Sequence, residues 1–193
     1  MPEHDLDRLS DGRSSAARAD TPSVDAPLAD TPSVDAEAFR GALGSFATGV
    51  SVMTTVVDGE PHGMTANALS SVSLDPPLVL VCVDREALMA ELVGRAGVFA
   101  LSFLGADQGS LSWHFADPDR ALGDAGFDGV ATRTAVTGCR ILEHAIGSVD
   151  CEVVQSVDAG DHVVVIGRVV AAHAEQDLAP LVYFRGEYPP LES

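Results

Sequence analysis

The sequence predicts a mainly β domain in which antiparallel strands form a barrel or sandwich, with a few helices at its periphery. Three observations carry this. Residues 49 to 83 read strand, turn, strand, polar loop and strand without a break. Two long apolar stretches, Ile146 to Val157 and His162 to Ala172, flank Asp158-Ala159-Gly160-Asp161 in the manner of a hairpin. Helical patterns interrupt the series only a few times, whereas parallel strands need a long crossover, usually a helix, at every step.

The elements follow in order. An amphipathic helix is expected from Ala36 to Ala47, because Phe39, Leu43 and Phe46 recur at spacings of four and three. Val50, Val52 and Val56 give the next stretch the β-branched density of a strand, and Asp58-Gly59 supplies a turn that tolerates positive φ. Gly63-Met64-Thr65-Ala66-Asn67-Ala68 offers small residues, a hydroxyl and an amide beside exposed backbone, which suits a loop holding a planar polar ligand. Asp75-Pro76-Pro77 then forces an extended entry to Leu78–Val83, a run so continuously apolar that both faces of the strand are expected to be buried. Arg85 to Arg95 reads as a second helix with Leu88, Leu92 and Val93 on one face. A strand is expected at Val98–Leu104, a helix at Gln108–Phe115 and a loop at Asp117–Gly129; a short strand at Leu181–Phe184 follows the long hairpin.

Residues 1 to 36 are rich in Ser, Pro, Asp and Ala and poor in large apolar side chains. Such a segment cannot repay the entropy of ordering, so a disordered tail is expected there, followed by one domain over residues 37 to 193. Ala19–Ala26 recurs letter for letter as Ala29–Ala36, a local duplication with too few units for a repeat architecture.

Composition narrows the function. The 193 residues carry a formal charge of −18, which repels phosphate backbones and argues against a nucleic-acid partner. Every basic residue is an arginine, so a P-loop lysine and a Schiff-base lysine are both excluded. Cys82, Cys139 and Cys151 are odd in number and far apart, the pattern of free thiols in a reducing compartment rather than of a disulfide or metal site. No metal site is expected. The absence of a long apolar run and of a signal-peptide pattern places the protein in the cytoplasm, away from membranes.

Five segments stand out in order: Phe46-Ala47-Thr48-Gly49-Val50, Gly63-Met64-Thr65-Ala66-Asn67, Ser71-Val72-Ser73-Leu74-Asp75-Pro76-Pro77, Gly160-Asp161-His162 and Arg185-Gly186-Glu187-Tyr188. In these the chain resembles the flavin reductase family of split-barrel FMN-binding proteins, the reductase components of two-component flavin-dependent monooxygenases. The resemblance implies an antiparallel split β-barrel that forms a homodimer, with the flavin bound at the subunit interface. It implies FMN, or alternatively FAD or riboflavin, as the flavin, NADH or NADPH as the hydride donor, and a separate monooxygenase as the recipient of reduced flavin.

The same resemblance suggests the site residues. Pro61, His62, Gly63, Met64, Thr65, Asn67 and Ala68 would hold the flavin ring edge and ribityl chain, with Cys82, Val83, Asp84 and Arg85 at the end of the buried strand and His114 and Phe115 against the ring. His162, Val163, Val164 and Val165 would meet the nicotinamide nucleotide. No side chain is assigned acid–base chemistry; His162 is the catalytic candidate, since imidazole stacks on planar rings and hydrogen-bonds an amide or phosphate. Many family members carry Ser or Thr after the buried strand to bind the flavin phosphate. Arg85-Glu86-Ala87 stands there instead, leaving Arg85 and backbone N–H groups for that task.

Plainer readings stand beside these. Thr65 and Asn67 are also ordinary turn residues, Trp113 and Phe115 ordinary core, Arg85 an ordinary solvated cation, and His162 an ordinary strand cap. Arg168, Arg185 and Tyr188 either neutralise phosphates or serve structure. The rival function is a flavin-binding or redox-sensing protein on the same barrel without reductase turnover, since a fold alone does not decide what a site does.

Overall fold

The chain is described here for residues 33–175 and 178–191 of a computed structural model. The expected disordered tail therefore lies, for residues 1–32, outside the described residues. Helix α1 (Ala36–Gly44) starts where the Asp35 carboxylate accepts a hydrogen bond from the Ala38 amide at 2.8 Å, an N-cap that satisfies an otherwise orphaned donor. It ends before the Ala47 expected from periodicity, because the Ser45 and Phe46 amides fold back onto the Ala42 and Leu43 carbonyls in a tighter turn.

Strands β1 (Thr48–Gly49), β2 (Ser51–Val57), β3 (Glu60–Ala66), β4 (Leu69–Leu74) and β5 (Pro77–Asp84) follow directly. Helix α2 (Leu88–Ala96), β6 (Val98–Phe103), α3 (Gly109–Ala116) and a 3-10 turn at Gly123–Phe127 come next. Then come β7 (Thr132–Arg133), β8 (Ile141–Leu142), the long pair β9 (Gly147–Ala159) and β10 (His162–Ala174), and β11 (Val182–Tyr183). Asp58 and Gly59, at φ 54° and 87°, turn β2 into β3 as their dipeptide predicts.

The main sheet has seven strands in the order β3-β2-β6-β9-β10-β5-β4, and each neighbour runs antiparallel. Its two edges, β3 and β4, are consecutive in the chain and separated only by Asn67-Ala68. So short a connection forces the sheet to curl until one corner of each edge meets the other. The Cys82 amide fixes that corner by donating to the Ala68 carbonyl at 2.8 Å. No ladder pairs β3 with β4 among the described residues, so the sheet stays open along this seam.

The two larger of three buried clusters form because β2 sends Val52 and Met53 to opposite faces; Ala100, Cys139 and Ile141 make the third. Met53, Val81, Val83, Phe99, Leu101, Cys151 and Val165 fill the inside of the curl, where Met89 and Val93 of α2 close it. Val50, Val52, Leu104, Phe115, Phe127 and Leu181 pack on the other side. Gly167 is required by this packing: a Cβ there would lie 2.5 Å from the Phe99 ring.

Several sequence expectations change. Thr65 lies in β3 and Ser70–Ser73 in β4, not in a polar loop; β4 is an exposed edge whose Ser-rich sequence has no apolar face, so only pairing with β5 makes it a strand. Helix α2 starts at Leu88 rather than Arg85, because the Asp84 carboxylate takes the Glu86 amide at 2.8 Å and its carbonyl takes the Ala87 amide at 3.0 Å, closing a turn. On β5, Val81 and Val83 enter the core while Leu80 and Cys82 on the opposite face are only half-buried. Helix α1 buries none of its residues: Phe39 and Leu43 are 59% and 53% exposed, and Phe46 just beyond the helix is 71% exposed. No helix among the described residues is long and apolar enough to cross a membrane.

Candidate functional site

The unburied faces of β5 and α1 look onto the same space. A cleft of about 960 Å³ runs between them, with Leu80 and Cys82 as its floor, Asn67-Ala68 at one wall, Phe39, Leu43 and Phe46 along the other, and Tyr183 at one end. Its charged lining residues are Glu37, Arg40 and Arg185. A largely apolar slot of this size with a few polar groups suits a ligand with a large flat ring system.

Strand register extends the floor. Cross-strand partners share a face, so Val164 stands beside Cys82, Ile166 beside Leu80, and His162 beside Asp84 on the cleft side. At about 3.4 Å per residue, His162 lies roughly 7 Å along the strand beyond the Cys82–Val164 rung. Its Nδ1 is 2.8 Å from the Asp161 carboxylate, and this hydrogen bond, followed by the imidazole charge, holds the Asp161 carboxyl below its usual range. Val83, Val163 and Val165 alternate to the other face and pack in or against the core, so their side chains do not reach the cleft.

The remaining expected residues divide. Asn67 lines the cleft and donates from Nδ2 to the Thr48 hydroxyl at 3.2 Å. Thr65 spends its hydroxyl on the Ser112 carbonyl at 2.6 Å, tying β3 to α3. Pro61 is buried in β3. His62, Gly63, Met64 and Phe115 line a separate cavity of about 350 Å³ with Arg120. Gly63 is needed there, since a Cβ would lie 2.7 Å from the Phe115 ring. Arg120 donates to the Gly63 carbonyl and stands 5.0 Å over the Phe115 ring. Burial, and then the Arg120 charge, lowers the His62 pKa from its ordinary value, so the imidazole is neutral at pH 7. His114 Nε2 is 2.8 Å from the Gly126 carbonyl, in the loop rather than the cleft. Arg85 pairs with Asp158 at 3.3 Å and donates to the Gly160 carbonyl at 3.0 Å, bracing the β9–β10 turn. Sequence reasoning missed α1 as a wall and Arg40 with it; the signal was the run of large apolar residues Phe39, Leu43 and Phe46 on and just after α1.

Residues 43–192 match the flavin reductase like domain family. The chain belongs to the flavin reductase family. An NADH-dependent flavin reductase of Rhodococcus sp is 41% identical over 160 residues, covering 79% of this chain and 85% of that protein. The reductase subunit HsaB of a flavin-dependent monooxygenase from Rhodococcus jostii (strain RHA1) is 34% identical over 156 residues, 80% of this chain and 77% of its own length. Among solved structures, the flavin reductase component BorF of a bacterial two-component tryptophan halogenase superposes with a TM-score of 0.77 at 40% identity, covering 82% of this chain and 99% of that one. The NADH:FAD oxidoreductase of Streptomyces globisporus, solved with NAD and FAD fragments, superposes with a TM-score of 0.76 at 32% identity, covering 84% and 98%.

The thiols of this flavin reductase family member offer a direct probe of the cleft. Burial, with Asp150 adding to it, pushes the Cys139 thiol up to about 11 and the Cys151 thiol up to about 12, so both stay protonated and enclosed at pH 8. Cys82 alone lines the cleft. A thiol reagent at pH 8 is expected to label one cysteine in the native protein and all three after denaturation, with FMN slowing the native reaction. Rapid native labelling of Cys139 or Cys151 would contradict this burial.

Proposed function

We propose that this chain is an NADH- or NADPH-dependent flavin reductase that passes hydride to FMN, FAD or riboflavin and supplies the reduced flavin to a separate monooxygenase. The observation that carries the reading is the continuous strip Leu80, Cys82, Val164 and His162 on the open face of β5 and β10, beneath a cleft wide enough for an isoalloxazine. The names of relatives, NADH-dependent flavin reductase and monooxygenase reductase subunit among them, support it.

The residues present fit such a group. The floor is apolar and flat, and Asn67 lies at the wall where a ring edge would need a polar partner. The bound flavin supplies the redox chemistry, accepting hydride when the nicotinamide stacks on it at close range. The protein's part would be placement: Leu80 and Cys82 on the β5 floor would support the ring, α1 would shield it from water, and His162 at the far end of the strip would orient the dinucleotide. No acid–base pair is required of the chain.

In this reading the curled sheet is a split barrel and the working unit is a homodimer. Support for the dimer comes from the exposed large apolar side chains Phe39, Leu43 and Phe46, which lie together along one cleft wall. Light scattering is expected to give a mass near twice 20.0 kDa. Residues 37–193 form the reductase unit.

Mixing the protein with FMN, FAD or riboflavin and each reduced nicotinamide, and following the nicotinamide absorbance, tests the activity. Flavin binding without any nicotinamide oxidation would favour the non-catalytic reading instead. His162→Ala is expected to raise the nicotinamide KM about tenfold, the loss of one hydrogen bond of about 1.4 kcal/mol, while the flavin Kd changes by less than about twofold. Equal effects on both constants would remove His162 from the dinucleotide site.

A further inference from the structure

The β9–β10 turn that presents His162 is held from the end of β5. The Arg85 amide donates to the Asp161 carbonyl at 3.0 Å, which carries the β5–β10 ladder one rung past the His162–Asp84 pair. Arg85 Nη2 donates to the Gly160 carbonyl at 3.0 Å and lies 3.3 Å from an Asp158 carboxylate oxygen. One residue thus contacts Asp158, Gly160 and Asp161 in the short segment between Val157 and His162.

Arg85 is itself aimed by the turn that follows β5. The Asp84 carboxylate accepts the Glu86 amide at 2.8 Å, and the Asp84 carbonyl accepts the Ala87 amide at 3.0 Å. Asp161 acts on the imidazole instead. Its carboxylate is 2.8 Å from His162 Nδ1, and an ionised carboxylate only accepts, so Nδ1 carries the proton and Nε2 is the ring atom left for a ligand. These contacts add little to folding, because the side chains of Arg85, Asp158 and Asp161 are 48%, 76% and 94% exposed. Their effect is local: they take freedom from the one turn that decides where His162 stands against the strip of Leu80, Cys82 and Val164.

We infer that Arg85 and Asp161 are positioning residues of the dinucleotide site: Arg85 clamps the backbone of the β9–β10 turn, and Asp161 sets the rotation of the His162 imidazole, so that Nε2 meets the nicotinamide nucleotide already oriented. This rests on the flavin reductase reading above and on the place it gives His162. Holding a contact group in its bound geometry lowers the ordering cost of association without adding a contact. Arg85 thereby has a task other than the flavin phosphate that its place after β5 suggests by resemblance.

The test is a double-mutant cycle on the full chain that reads the NADH KM, kcat, and the Kd of riboflavin and FMN. Arg85→Ala and Asp161→Ala are each expected to raise the NADH KM ~3–5-fold, with kcat and both flavin Kd values within about 2-fold of wild type. In a His162→Ala background the same substitutions should change the KM by less than ~1.5-fold, because the group they position is gone. Arg85→Lys keeps the charge and Asp161→Asn keeps an acceptor oxygen, so both should recover most of the loss. No change in KM, or an equal further rise in the His162→Ala background, overturns the inference. An Arg85→Ala chain that loses affinity for FMN but not for riboflavin overturns it too, and gives the guanidinium to the flavin phosphate. These outcomes leave the reductase reading in place. His162→Ala without effect on the NADH KM removes His162 from the site and the inference with it, whereas a wild-type chain that oxidises no reduced nicotinamide with any flavin overturns the reductase reading itself.

Discussion

Replacing Asp150 with alanine is expected to cost about 4 kcal/mol of stability, because three part-buried hydrogen bonds to a charged acceptor would be lost at roughly 1–3 kcal/mol each, with partial relaxation. Asp150 is fully buried on β9. Its Oδ2 accepts from the Val136 and Thr137 amides at 2.7 and 2.9 Å, and its Oδ1 accepts from the Thr137 hydroxyl. One carboxylate thereby holds the loop before β8 against the sheet, with Cys139 enclosed beneath it. For a chain of this size the thermal midpoint should fall by roughly 10 °C. Asn in its place keeps one acceptor oxygen but turns an NH2 towards the same donors, so it is expected to recover little. A midpoint within about 2 °C of the wild type for Asp150→Ala would show that the loop is held by something else.

Cys82→Trp is expected to weaken flavin binding ~100-fold or more, since an indole on the floor takes the volume that the isoalloxazine needs and removes its stacking surface. Cys82 is half-buried and faces the cleft rather than the core, so the added bulk has open space to enter and the fold should persist. Circular dichroism and the thermal midpoint serve as controls, and fluorescence titration with FMN reads the loss. A Kd within about threefold of wild type, with the fold intact, would place the flavin elsewhere. The second cavity, lined by His62, Gly63 and Phe115, would then be the next place to look.

Local chemistry made much of the fold legible. Asp58-Gly59 demanded a tight turn at positive φ, and the apolar runs either side of residue 160 demanded a hairpin; both are present, the second with just Gly160-Asp161 between its strands. What local chemistry could not reveal was set by partners distant in the chain. β4 has no apolar alternation of its own and is a strand only because β5 lies beside it. β5 reads as buried on both faces because a cleft floor and a core face are equally apolar, and no residue type tells them apart. Phe39, Leu43 and Phe46 have the spacing of a core stripe, yet they face a slot.

The site divides along the same line. Asn67, Ala68 and Cys82 meet in the cleft because a two-residue corner and one backbone hydrogen bond bring them together, a geometry that their order in the chain already hints at. Gly63 and Phe115, by contrast, are fifty-two positions apart and are joined by ring packing that only the folded chain specifies. Arg40 was invisible as a candidate because nothing in its neighbourhood distinguishes a solvated helix cation from one that lines a cleft.

The two sides of the cleft differ in how they are anchored. β5 is laced into the sheet along both of its edges, whereas within one chain α1 sinks no side chain into a core, and the Arg185 amide on the Gly44 carbonyl is its one backbone hydrogen bond to another element among the described residues. Segments held by so little interior packing yield at free energies well below that of global unfolding. A guest clasped between an unyielding floor and a loosely hinged side can depart by displacing the hinge alone, which is the mechanical property a dispenser needs and a permanent holder does not.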